Sequence, residues 1–123
     1  MSEILALRQK LDSFGNIGEE FGRLVQSQPE GWRRNHIAIR RDLQATIADL
    51  GATGRRILAE RGDPAKLREF ENLHAHYRRV VSLHQADWPV VNIDPENPDY
   101  LRSREEASDA YLEFVKALEQ MCA

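Results

Sequence analysis

Apolar residues recur at three- and four-residue steps along almost the whole chain, and that rhythm leaves room for little besides α-helix. Ile4, Leu7, Leu11, Phe14, Phe21 and Val25 form the first seam, and His36, Ile39, Leu43, Ile47 and Leu50 the second. Leu67, Phe70, His74, Tyr77, Val81 and His84 form the third, and Ala107, Tyr111, Phe114, Leu118 and Met121 the last. A helix with one apolar face needs other helices to cover it, so a bundle follows. Three histidines occupy or flank these seams. A titratable ring in a core must be hydrogen-bonded, must hold something, or must stay neutral at a cost.

Proline and glycine cut the rhythm into segments. A first helix is expected from Ser2, as N-cap, to about Gln28, with Gly15, Gly18 and Gly22 inside it. Each of these glycines costs about 1 kcal/mol against alanine, so they mark either a close helix contact or a break near Gly15-Asn16. Pro29 suits the first turn of a second helix that runs to about Arg61, with Gly51 and Gly54 as a second place for a kink. Gly62-Asp63-Pro64 combines a helix stop, an N-cap and a first-turn proline, and a third helix follows to about Ala86. The stretch from Asp87 to Asp99 holds three prolines and must be irregular. A last helix starts at Asn97-Pro98 or at the capping box Ser103-x-x-Glu106. The expected fold is all-α: a single domain over residues 1–123, a four-helix up-and-down bundle with one long loop between helices 3 and 4.

Charge is uneven along this frame. Residues 30–86 carry 11 Lys/Arg against 7 Asp/Glu, and residues 87–123 carry 3 against 9. Basic middle helices packing beside an acidic last helix account for this, and the pairs Arg33-Arg34, Arg40-Arg41, Arg55-Arg56 and Arg78-Arg79 read as solvated faces. No stacking aromatics interleave with them, so a nucleic-acid partner is not expected. The single cysteine, Cys122, excludes an intrachain disulfide and a cysteine-based zinc site, and reads as an exposed tail thiol. Neither a signal peptide nor a membrane-spanning run is visible, and the cytoplasm is the expected compartment.

Helical-wheel positions sort the histidines. His36 and His84 lie within about 20° of their helices' apolar centres, His74 about 65° off and His76 about 95° off. Antiparallel counting from the Gly62-Asp63 turn brings His36 and His84 to one bundle end, beside Trp32, Trp88 and the long loop. Trp32, His36, His84 and Trp88 are therefore the candidates for a ligand pocket, with Val90, Val91 and Ile93 as a plug over it. A divalent metal on His36, His84 and Asp87 is one alternative, with His84 and Asp87 at i, i+3. A di-iron site fits worse: Glu71-x-x-His74 supplies half of its motif, but Glu71 points about 125° from the core.

A second alternative rests on a local likeness. Ala75-His76-Tyr77-Arg78-Arg79 resembles the Ala-His-x-Leu-Lys-Gly stretch of histidine phosphotransfer domains, themselves four-helix bundles. Ala75, His76 and the basic Arg79 match, whereas Arg78 and Val80 depart from the Leu and Gly. The resemblance implies phosphoryl transfer through His76, with Arg79 one turn away to hold the phosphoryl oxygens. No serine-nucleophile elbow, phosphate loop or dinucleotide fingerprint is present. The leading expectation is a non-catalytic cytoplasmic interaction or signalling module. It needs no cofactor and works on a protein partner or a second copy, the latter through a helix face or the stretch Trp88–Ile93.

Overall fold

The computed structural model describes residues 2–122, with Ser2 described by its backbone alone. Four helices form the expected up-and-down bundle: α1 Ser2–Ser27, α2 Trp32–Glu60, α3 Pro64–Asp87 and α4 Pro98–Met121, with a 3₁₀ turn at Val90–Asn92. No strand occurs among the described residues. Capping of α1 by the Ser2 side chain falls outside what is described.

Both proline-led starts are as expected. The Asp63 side chain accepts from the Lys66 amide at 3.1 Å ahead of Pro64, and Asn97 accepts from the Asp99 amide at 2.9 Å ahead of Pro98. Asn97 therefore starts α4 and Ser103 lies inside it. The start of α2 differs from expectation. Gly31 adopts φ 76°, in the left-handed region that ends helical continuity, and the helix begins only at Trp32. Pro29 stands in the connection, where its carbonyl accepts from the Trp32 amide at 2.9 Å.

α1 and α2 run as unbroken α-helix through their glycines, so no break falls at Gly15-Asn16. In α2 the glycines serve close packing. A Cβ at Gly51 would collide with the His74 ring, and one at Gly54 would come within 2.5 Å of Phe70 Cζ. These two glycines let α3 lay its rings directly on the α2 backbone. His74 is as buried as His36, contrary to its flank position on the wheel, and its Nε2–H donates to the Ile47 carbonyl at 2.9 Å. Phe70 stacks on Phe114 at 5.9 Å and Tyr77 on Phe114 at 5.2 Å, which joins α3 to α4.

Backbones approach closely in consecutive order, α1 on α2, α2 on α3 and α3 on α4. The first and last helices meet through side chains, Phe14 against Tyr111 at 4.7 Å between ring centroids. The buried side chains fall into two clusters. The larger contains Leu7, Phe14, Leu50, Phe70, Phe114 and Leu118, while Leu24, Val25, Trp32, Val90, Ile93 and Tyr100 fill the loop end. The loop is folded back: Val90 and Ile93 are buried, while Val91 stands out, 74% exposed, with Pro89 and Asn92 also exposed. Most of the apolar surface of Trp88–Ile93 is thus used within the chain rather than offered to a second copy.

Cys122 is buried in the larger cluster and not exposed. Arg61 explains it. Its guanidinium donates to the Met121 and Cys122 carbonyls at 3.1 and 3.0 Å, and so holds the end of α4 against the bundle.

Candidate functional site

Between the two clusters the core is interrupted. A groove of about 520 Å³ opens between the second half of α1 and the first half of α4, floored by α2 and α3. Three glycines of one α1 face, Gly15, Gly18 and Gly22, line it. A Cβ at Gly18 or Gly22 would meet nothing within 4 Å, and one at Gly15 only the Tyr111 hydroxyl at 3.7 Å. These glycines serve no close helix contact; they leave the wall bare. Phe14, Phe21, Val25, Leu43, Tyr111 and Leu112 supply most of the apolar lining.

The charged and imidazole groups of the lining are His36 and Arg40 on α2, His84 on α3, Glu19 on α1 and Arg104 on α4, with Gln85 and Ser108 as further polar side chains. The two histidines singled out by the wheel are thus brought together. The two tryptophans are not part of the wall. Trp32 packs in the loop-end cluster with the Arg33 guanidinium 4.4 Å from its ring centroid, and Trp88 packs edge-on against Tyr100 at 5.4 Å.

His36 is 4% exposed and lies 4.8 Å from the Phe21 ring, and its Nδ1 is buried without a hydrogen-bond partner among the described residues. Burial first, then the Arg40 charge, pushes its pKa down to about 4, against a smaller opposing interaction with its own backbone and with His84 and Arg33 adding to the fall. His84 behaves alike: burial and then Arg40 bring it to about 4, against a smaller opposing pull from Asp87. Both rings are therefore neutral at neutral pH. Nδ1 of His84 shares a 2.6 Å hydrogen bond with Ser103 Oγ. An imidazole with a pKa near 4 is a weak base at neutral pH, and Ser103 does not line the groove, so this bond holds the His84 ring rather than adding a polar group to the wall.

Arg40 is the residue that sequence reasoning undervalued. It is half-buried, and donates from Nη2 to the Trp88 carbonyl at 2.7 Å and from Nη1 to the Gln85 carbonyl at 3.4 Å. These are carbonyls at the C-terminal end of α3, which otherwise lack intrahelical donors. Arg33 similarly donates to the Val90 carbonyl. The ion pairs among the described residues involve Lys10, Arg23, Arg56 and Arg102, so no carboxylate neutralises Arg40 or Arg104. The only signal available in the sequence was Arg40 standing one turn after His36.

The metal alternative is not assembled. Among the described residues no three His, Cys, Asp or Glu side chains come together in an arrangement able to hold a metal ion, so His36, His84 and Asp87 do not form a ligand set. The Glu71-x-x-His74 half-motif is separated as well, with His74 turned to the Ile47 carbonyl and Glu71 exposed. His76 and Arg79 are both exposed on α3, outside the groove. No helix is long and apolar enough to cross a membrane among the described residues. Comparisons with protein-family models, curated proteins and solved structures return no match.

Proposed function

We propose that this protein is a non-catalytic cytoplasmic binding module that takes a small amphipathic ligand into the groove between α1 and α4. One observation carries the reading: the bundle's core is interrupted by a groove that is lined both by glycines with open Cβ positions and by His36, Arg40 and His84. A chain selected only for stability would fill such a gap, because an apolar void forfeits contacts and helical glycine costs about 1 kcal/mol per position. The volume falls within the roughly 300–1,000 Å³ of ordinary ligand pockets. An apolar wall with a few convergent polar groups is also the usual composition of such pockets.

The test uses the fluorescent probe 1-anilinonaphthalene-8-sulfonate on the native protein. Saturable one-to-one binding is expected, and Gly22→Leu, which puts a side chain into open space, abolishes it without altering helical content. Failure of the native protein to bind, or equal binding by the variant, refutes the groove as the site.

A second reading keeps a protein partner or a second copy of the chain. It is favoured by Ile37 and Val91, exposed large apolar residues that border a shallow depression between α2, α3 and the 3₁₀ turn. A dimer in solution that becomes monomeric in Val91→Asp supports it, and a monomer at every concentration removes the self-association form.

A further inference from the structure

The groove's charges restrict what it can hold. Its ionised lining residues are Arg40, Arg104 and Glu19, which leave one positive charge uncompensated. Arg40 is the deeper cation, and its described partners are backbone carbonyls, which satisfy donors but do not neutralise charge. A half-buried cation without a counter-ion is costly, and an anionic ligand supplies what the chain does not. Glu19 on the same wall disfavours a second negative charge. His36, which also lines the groove, stands four residues before Arg40 on the same helical face. Apart from Gln85 and Ser108, the rest of the lining is mostly aromatic and aliphatic, from Phe14 and Phe21 to Leu112 at the mouth.

We propose that the ligand is an amphipathic monocarboxylate, its carboxylate held by Arg40 with His36 beside it and its apolar body laid along the bare glycine face of α1. This rests on the groove being the binding site. A neutral amphiphile of the same body leaves Arg40 without its counter-ion, and a cationic one adds repulsion to that. A dianion meets Glu19. The guanidinium is the right head-group receptor, since its planar fork matches a carboxylate in a way an ammonium does not.

The experiment titrates native protein with decanoate, decanol and decyltrimethylammonium, each below its micelle concentration, by calorimetry with thermal melting in parallel. Decanoate binds one-to-one and raises the melting temperature; decanol binds at least tenfold more weakly, and the ammonium amphiphile weaker still. In Arg40→Gln the preference for decanoate over decanol disappears. Because that variant also loses contacts to the α3 carbonyls, Arg104→Gln is measured beside it; this exposed site keeps the fold and reduces the preference without erasing it. Decanol binding as tightly as decanoate overturns the monocarboxylate assignment while the groove reading stands. If none of the three amphiphiles binds, or if Gly22→Leu binds decanoate as well as the native chain, the groove reading falls with it.

Discussion

The same substitution, glycine to alanine inside a helix, should have opposite signs in α1 and α2. At Gly18 and Gly22 a methyl group enters open space, so the helix-propensity gain of about 1 kcal/mol per site is realised in full. The double variant should be about 2 kcal/mol more stable, which for a chain of this size raises the melting temperature by roughly 6–12 °C. At Gly51 the propensity gain is the same, but the methyl meets the His74 ring. Overpacking costs about 1–3 kcal/mol, and displacing His74 from the Ile47 carbonyl about 1–3 more. The net is a loss of roughly 1–5 kcal/mol, and Gly54→Ala follows it through the Phe70 ring. Urea titration followed by far-ultraviolet circular dichroism measures all three variants against the native chain, with an unchanged slope required for comparison. A destabilised Gly18→Ala/Gly22→Ala variant would refute the claim that the α1 face is bare. A stabilised Gly51→Ala would refute the close seating of α3 on α2.

Three further outcomes are expected. His36 and His84 titrate near 4 in the fold and near 6.5 when unfolded, so the unfolded chain binds more protons in between; stability is full above about pH 6.5 and falls as pH drops toward 4. For His36 the loss is about 2 kcal/mol by pH 5; His36→Gln makes this part of the profile shallower, with His84 still titrating, and an unchanged profile contradicts the assignment. Cys122, buried and with its thiol pushed up by that burial, should resist a thiol-reactive disulfide reagent in the native protein and react at once in denaturant; rapid native labelling would show the end of α4 open. Ile93→Ala should cost about 2–4 kcal/mol and Val91→Ser less than about 0.5, because only the first is buried; equal effects would mean that the loop is not folded back.

Much of this molecule was legible as pattern. Seams at helical spacing and the two proline-led starts are local features, and they located α3, α4 and the bundle. What escaped depended on a neighbour. His74 looks like a flank residue on its own helix and is buried because Gly51, on another, makes room for it. Cys122 looks like a tail thiol until Arg61, 61 residues away, binds its carbonyl. The start of α2 turned on whether Gly31 or Pro29 set the local backbone, and the left-handed glycine prevailed. For the site, the wheel placed His36 and His84 at one end, but it could not distinguish glycines that admit a neighbour from glycines that face nothing. That difference separates the α2 pair from the α1 pair, and the groove exists because of it.

The order of packing makes the bundle resemble a book. Its spine is the α2–α3 contact, where rings rest on Gly51 and Gly54, and its fore-edge is the α1–α4 seam, met through Phe14 and Tyr111. Each cover is a helical hairpin. A small rotation about the spine leaves both covers intact yet widens or narrows the space between their outer edges. In the proposed ligand-binding reading, a methyl group added at the spine would change affinity for a ligand that it never touches.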